Sequence, residues 1–180
     1  MTKRHPHRPG TIQRTWVIAV LIALAAAACS DEQEASPLED LELVAVDFEL
    51  NSIVLENTGD SDIRTQGLWA YRDGEQFEFD IFIIEPRATI LFNMRQLGEI
   101  STSSGELALA DSGSFDDSDS LLEYVAWGDG DLQLSAAATG AGLWPPDEGT
   151  VDVPAGSLIL IRVDPAGTGP LAWQASDQID

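Results

Sequence analysis

Two kinds of hydrophobic pattern divide this chain. Residues 16–28 form an unbroken apolar run that follows a basic segment without acidic residues, which is the layout of a secretory signal peptide. From Leu41 onward the apolar residues come in short alternating runs, rich in β-branched and aromatic side chains, and such runs predict strands. Outside the apolar run, no long window keeps helical spacing. The pattern therefore predicts an exported, all-β protein.

Turn sequences separate the predicted strands. Asp73 and Gly74 lie between two alternating runs and are the strongest hairpin signal in the chain. Many short strands with turns between them are typical of an antiparallel β-sandwich. The predicted strands are 41–48, 52–56, 67–72, 76–84, 88–92, 106–110, 121–127 and 157–163.

The N-terminal region predicts a lipid anchor. Cys29 is the only cysteine in the chain, and Ala26-Ala27-Ala28-Cys29 resembles a lipobox, in which the cysteine is lipid-modified before the signal peptide is removed. As a helix, the preceding apolar run would span about 20 Å, which is short of the roughly 30 Å hydrocarbon core, so a permanent transmembrane anchor is disfavoured. An ordinary secretory signal cut at Ala28, leaving a free Cys29, is the alternative.

The charge distribution restricts the possible partners. Removing residues 1–28 from the 180 leaves 152, in which five arginines stand against 31 acidic residues for a formal charge of −26, with no lysine or histidine. Nucleic acid is excluded as a partner because phosphate binding needs a basic face. Anionic headgroups would repel the domain, so membrane contact is expected through the lipid anchor. The acidity fits either a salty habitat or simple solubility.

The composition predicts three segments. Residues 1–28 are the signal peptide, and residues 29–40 are the lipidated cysteine with a polar, acidic, disordered tether. Residues 41–180 are long enough to build one β-sandwich with its own core.

Five motifs in the predicted sandwich resemble those of the lamin-tail domain, an immunoglobulin-like β-sandwich of nuclear lamins and of many exported bacterial proteins. The resemblance, which covers about residues 41–128, implies an interaction module. The motifs, in order, are Leu-Glu-Asn-Thr-Gly-Asp at 55–60, Gly-Leu-Trp at 67–69, Glu-Pro-Arg-Ala at 85–88, Ser-Gly-Glu-Leu-Ala-Leu at 104–109 and Tyr-Val-Ala-Trp-Gly at 124–128.

The resemblance also leads to expectations about the tryptophans. Trp69 and Trp127 are expected in the core, but Leu68 stands between the glycine and tryptophan that are adjacent in the family. That extra residue would turn the indole of Trp69 to the other face unless a bulge absorbs it. Residues 129–180 resemble an extension of some bacterial members, and we expect them to close the same sandwich, with Trp144 and Trp173 covering an edge.

Most catalytic chemistry is missing from the predicted mature chain. No histidine follows His7, so histidine-based triads and zinc sites are excluded there. The sequence holds no phosphate loop and no dinucleotide fingerprint. We therefore expect no enzyme and no cofactor. A hydrolase that uses two carboxylates stays as an alternative because acidic residues are abundant.

One acidic segment suggests a cation site. Asp111, Asp116, Asp117 and Asp119 lie between two predicted strands and offer oxygen ligands of the kind that calcium prefers. Their spacing does not fit the helix-loop-helix calcium loop, and a solvated hairpin loop is the simpler interpretation. A calcium-dependent surface protein is therefore the second alternative.

Together these patterns predict a membrane-anchored extracytoplasmic lipoprotein. Its immunoglobulin-like β-sandwich would act as a non-catalytic binding or scaffolding module at the cell envelope. The expected partner is a protein or an envelope polymer, which the sequence does not identify.

Overall fold

A computed structural model describes residues 38–177, in which eleven strands and one short helix surround a single hydrophobic core. The strands are β1 (Leu41–Asp47), β2 (Ser52–Asn57), β3 (Ile63–Arg64), β4 (Trp69–Arg72), β5 (Glu75–Glu78), β6 (Ile83–Ile84), β7 (Thr89–Asn93), β8 (Ser104–Ala110), β9 (Leu121–Gly128), β10 (Ile159–Arg162) and β11 (Trp173–Ser176), and the helix is α1 (Ser135–Gly140).

The strands form two main antiparallel sheets. Sheet I has the order β11-β10-β1-β2-β7, and sheet II has the order β5-β4-β8-β9. Strands β3 and β6 make a separate two-stranded ladder. Side chains from both main sheets fill the common core. The prediction of an all-β, antiparallel sandwich-like fold is therefore confirmed.

The prediction of one strand over 76–84 is wrong, because Thr65 divides this segment into β5 and β6. The Thr65 hydroxyl donates to the backbone oxygen of Asp80 at 2.8 Å and accepts from the backbone N–H of Phe82 at 2.8 Å. These bonds draw the chain away from β4 after Phe79, whose N–H still bonds the Leu68 carbonyl. The segment therefore leaves sheet II and pairs with β3.

The hairpin between β4 and β5 forms where it was predicted. Asp73 and Gly74 have φ values of 48° and 94°, as the tight two-residue turn of a hairpin requires. Arg72 and Glu75 are paired on either side of the turn. The Asp73 carboxylate also accepts a hydrogen bond from the N–H of Glu106 at 2.9 Å, which fastens the turn to β8.

The C-terminal extension completes the sandwich. Strand β10, which corresponds to the predicted strand 157–163, pairs with β1, and β11 follows as a strand that the pattern did not predict. Val151 forms a parallel bridge with Trp127 at the outer edge of β9. Trp144 and Trp173 are buried in the common core. The extension therefore belongs to the same folded unit.

The two tryptophans of the lamin-tail motifs have different environments. Trp127 is fully buried, and its indole N–H donates to the Ser101 carbonyl at 2.8 Å. It lies against Gly105, where an added Cβ would come within 2.6 Å of the ring. Trp69 is only half-buried, because the preceding Leu68 takes the core position. Trp69 therefore packs against the core from its margin, next to Gly113, and is not fully inside it as expected. The extra residue has moved the indole off the face that Leu68 occupies.

The described part of the chain begins at Leu38, within the predicted tether. Leu38–Asp40 forms a single 3₁₀ turn, and Leu38 packs against the core. Cys29, the predicted signal peptide and most of the predicted tether lie outside the described residues. Between residues 38 and 177, no helix has the length and apolar character needed to cross a membrane.

The different burial of the two indoles leads to a stability prediction. We expect Trp127→Ala to lower the free energy of unfolding by about 3–5 kcal/mol, since it opens a large cavity in the core. Trp69→Ala should cost clearly less because its ring is partly solvated already. Urea unfolding followed by far-ultraviolet circular dichroism measures both changes without relying on the deleted fluorophore. Equal losses for the two variants would contradict the register described here.

Candidate functional site

Glu106 is the most extensively bonded buried side chain of the domain. This carboxylate lies on β8 and is only 1% exposed. One of its oxygens accepts from the Tyr71 hydroxyl at 3.3 Å and from the N–H of Gln133 at 2.8 Å. The other accepts from the Tyr124 hydroxyl at 2.9 Å and from the N–H of Leu134 at 3.1 Å. The network joins three strands of sheet II to the segment that precedes α1.

The two tyrosines of this network are held as hydrogen-bond donors. Burial raises the pKa of Tyr71 to about 12, and the neighbouring Glu106 adds to the rise. Burial likewise raises the pKa of Tyr124, again with a contribution from Glu106. Because both hydroxyls keep their protons and both carboxylate oxygens are occupied, the cluster fastens the fold and offers no free acceptor to a substrate.

A second buried carboxylate connects the two sheets. Glu123 on β9 is buried and lies 2.8 Å from one guanidinium nitrogen of Arg162 on β10. The same guanidinium donates to the Gly167 carbonyl at 3.2 Å, and its carbon lies 5.9 Å from the centre of the Trp173 ring. Burial raises the pKa of Glu123 to about 7, although Arg162 opposes that rise. This pair is therefore a structural clamp between sheet II and sheet I.

The predicted calcium residues lie on the loop between β8 and β9. Asp111, Asp116, Asp117 and Asp119 are all exposed. Within residues 38–177, no three acidic, histidine or cysteine side chains are grouped as ligands for a metal ion. The calcium site therefore stays a prediction from the sequence.

Other residues account for the shape of this loop. Phe115 is buried, with its ring centre 5.3 Å from that of Tyr71. The Asp117 carboxylate accepts from the N–H of Asp119 at 3.1 Å, and the hydroxyls of Ser112 and Ser120 are hydrogen-bonded at 3.0 Å. The loop is thus held in place by an aromatic anchor and by its own hydrogen bonds.

The candidate binding surface is a groove between β5 and β7, which we call the edge groove. It has a volume of about 330 Å³, which lies within the range of small binding sites. Strand β7 is the last strand of sheet I, and β5 is the last strand of sheet II. The groove therefore lies where the two sheets end side by side.

Four of the six phenylalanines in the chain line this groove. Their rings contact each other in a series: the centres of Phe77 and Phe79 are 4.7 Å apart, those of Phe79 and Phe92 are 4.7 Å apart, and those of Phe82 and Phe92 are 5.1 Å apart. The series crosses from the β5 side to the β7 side. We call these four rings the aromatic floor of the groove. Phe79 and Phe92 are themselves buried, so Phe77 and Phe82 supply most of the aromatic surface that is exposed there.

Exposed apolar and acidic side chains surround the floor. Leu91 on β7 lines the groove and is 51% exposed. Ile81 and Ile83, on either side of Phe82, are also exposed. The charged residues among the lining are Glu78 and Asp80, so the groove combines an apolar floor with a negative rim. Ile81 and Ile83 do not line the groove itself, but exposed apolar side chains grouped along one segment are typical of interaction sites.

The sequence carries signals for two features that strand alternation does not predict. Residues 81–84 and 89–93 are uncharged apolar runs in an otherwise acidic chain, and they could have indicated an exposed binding edge. Glu106 is a single acidic residue in an apolar strand, which could have indicated a buried, hydrogen-bonded carboxylate. The partners of both features come from distant parts of the chain.

The clamp between Glu123 and Arg162 leads to a pH-dependent prediction. We expect Arg162→Met to lower the free energy of unfolding by about 3–5 kcal/mol near neutral pH, because it leaves a buried carboxyl without a partner. The pKa of that carboxyl in the folded state, already about 7, should rise further above its ordinary value of 4.5.

A raised folded-state pKa means that the folded protein binds the proton more tightly than the unfolded chain does. The resulting stabilisation is present at low pH and is lost as the pH rises through the folded-state pKa. The cost of Arg162→Met relative to wild type should therefore be largest above the folded-state pKa of the variant and shrink as the pH falls towards about 7 in urea unfolding, since below that pH Glu123 is protonated in both folded proteins. The control is Glu123→Leu combined with Arg162→Met, which should cost less than the single change. A pH-independent cost would contradict the clamp.

Comparison of the chain with protein-family models, with curated proteins and with solved structures finds no match. The functional assignment therefore depends on the residues and geometry of this chain.

Proposed function

We propose that this protein is an exported lipoprotein whose β-sandwich binds or scaffolds other components at the cell envelope. The observation that carries the binding role is the edge groove, an aromatic surface at the end of both sheets. The anchoring role rests on Cys29 and the signal-like residues before it. In this proposal the domain stays on the extracytoplasmic side, attached to the membrane through its lipid.

We further propose that the sandwich is immunoglobulin-like and of the lamin-tail type. In support, the five motifs of the resemblance fall on turns and strands in the expected order. They correspond to the end of β2 and its turn, the entry to β4, the turn before β7, β8 and β9.

Asn57 supports this assignment by its role in the first motif. Its side-chain nitrogen donates to the Ser61 carbonyl at 2.8 Å and to the Ile84 carbonyl at 2.9 Å. Its side-chain oxygen accepts from the N–H of Gly59 at 2.9 Å. A residue with both a donor and an acceptor is needed at this turn, which explains why the motif has an asparagine there.

Several features support binding over catalysis. The buried acidic residues in the described part of the chain are Asp47, Glu106 and Glu123, and each of them already bonds a neighbour within the protein. The carboxylates that line the edge groove, Glu78 and Asp80, lie beside an apolar floor suited to contact area. A carboxylate hydrolase and a calcium-dependent surface protein are therefore the less favoured functions.

The charge supports attachment through a lipid anchor. With a formal charge of −26 on the 152 residues from Cys29 onward, from five basic and 31 acidic residues, the domain would be repelled by anionic headgroups. The same charge disfavours nucleic acid. The proposed partner is therefore a protein or polymer of the envelope that meets the domain away from the bilayer surface.

The anchoring role is tested at Cys29. We expect Cys29→Ser to abolish fatty-acid labelling and to release the protein from the membrane fraction or leave it unprocessed, because the thiol is the only attachment point for the lipid. Labelling and fractionation of cells that express the full chain measure both effects. Cys29→Ala is a second variant that also lacks the thiol, and Ser30→Ala is the matched control that keeps it. Equal labelling of wild type and Cys29→Ser would refute the lipid anchor.

A further inference from the structure

We propose that the outer edge of β7 binds an extended, cationic segment of a partner protein. This segment would pair with β7 as an additional antiparallel or parallel strand and place alternate apolar side chains in the edge groove. The inference rests on the proposed binding function and specifies the chemistry of the partner.

The backbone of β7 has free pairing positions. The Met94 N–H donates to the Asn51 carbonyl, and the Asn57 N–H donates to the Ala88 carbonyl. Because bonded pairs recur at every second residue, the even-numbered residues of β7 are the ones whose backbone groups bond to β2. In an antiparallel ladder the residues between them direct their N–H and C=O groups to the opposite side. Thr89, Leu91 and Asn93 therefore present backbone donors and acceptors at the outer edge, and no other described strand pairs with it.

The sequence of β7 lacks the usual protection of an edge strand. Edge strands commonly carry charged side chains or proline, which discourage pairing with another chain. Strand β7 reads Thr-Ile-Leu-Phe-Asn, with no charge and no proline, in a chain that has 31 acidic residues. Strand β5, across the groove, carries Glu75 and Glu78. The free pairing edge is therefore β7, and β5 supplies a charged wall.

The edge groove provides pockets for side chains of the added strand. Its aromatic floor lies next to β7, and Leu91 lines it from β7 itself. When a strand is added to a sheet edge, backbone bonds supply affinity and pockets for alternate side chains supply specificity. The floor therefore favours large apolar residues at every second position of the partner.

Charge decides between the possible occupants. The groove lining contains Glu78 and Asp80 and no basic residue. A second copy of this strongly acidic chain would be repelled, whereas lysine or arginine at the remaining positions of a partner strand would meet these carboxylates. The geometry therefore fits an alternating basic and apolar segment better than self-association.

The test uses the full chain in mild detergent and a short synthetic peptide in which lysine alternates with isoleucine. Calorimetric titration at about 0.15 M salt, where long-range charge effects are screened beyond roughly 8 Å, gives the affinity. Binding should slow amide hydrogen exchange at Leu91 and Asn93. Two further peptides serve as probes: one with alternate backbone nitrogens methylated, which cannot form the ladder, and one with glutamate in place of lysine.

The decisive variant is Leu91→Glu, compared with the matched control Leu171→Glu. Leu171 is 84% exposed and lies just before β11, at the opposite end of sheet I. Leu91→Glu should weaken binding about tenfold or more, because the partner strand loses apolar contact at this position. The added negative charge by itself would attract the cationic peptide, so weaker binding would report the lost apolar contact. Leu171→Glu should leave binding unchanged. Circular dichroism and thermal melting of both variants verify that they are folded.

The outcomes separate this inference from the proposed function. Equal binding by wild type and Leu91→Glu, equal binding of the methylated peptide, or no binding of the lysine peptide would overturn strand addition at β7. Concentration-dependent self-association that protects β7 would also overturn it, in favour of a second copy. Lipid labelling at Cys29 is measured independently, so its loss would count against the anchored lipoprotein and leave the β7 result standing.

Discussion

The four hydrogen bonds accepted by Glu106 are the constraint on which the rest of the domain depends. They reach this buried carboxylate from β4, from β9 and from two consecutive backbone amides of the C-terminal extension. A hydrogen bond of this kind contributes about 0.5–1.5 kcal/mol, but a buried polar group left without its partner costs about 1–3 kcal/mol. The carboxylate therefore tolerates only the arrangement in which the extension is docked on sheet II.

Docking of the extension makes the sandwich asymmetric. Glu106 binds the amides of Gln133 and Leu134. Further along the chain, Val151 pairs with the outer edge of β9, and β10 pairs with the edge of β1. The clamp between Glu123 and Arg162 then connects the sheets on this side. The opposite side, where β5 and β7 end, receives no such cover from the described residues. The closed side stabilises the fold, and the open side carries the edge groove, where we propose that a partner binds.

Local pattern was sufficient to predict most of the strands. Alternation in β1 and β2 indicates the buried face, whereas β8 and β9 are buried on both faces and are recognisable as short, largely apolar runs. The hairpin at Asp73 and Gly74 was equally predictable, because its turn type depends on two adjacent residues. The division of 76–84 was not predictable, since it depends on Thr65, which lies outside that segment. The burial of Leu68 in place of Trp69 depends on strand register, which the sequence alone left open.

The buried carboxylate network and the edge groove were harder to predict because they are properties of the assembled sheets. Glu106 finds its amide partners 27 and 28 residues further along the chain. The edge groove exists only because β7 ends sheet I beside the end of sheet II, and strand order is not readable from alternation. Cys29 stays a prediction that depends on a local sequence motif, whereas the proposed binding surface could be recognised only in the fold.

Native-state hydrogen exchange of the full chain tests most directly whether Glu106 joins the extension and the sandwich into one unit. We expect the amides of Gln133 and Leu134 to exchange as slowly as those in the middle of β8 and β9, through global unfolding. In Glu106→Gln, whose side-chain nitrogen cannot accept, one of these amides should lose its protection. Exchange of Gln133 and Leu134 in the wild type at the rate of the exposed loop at 111–119 would contradict the account.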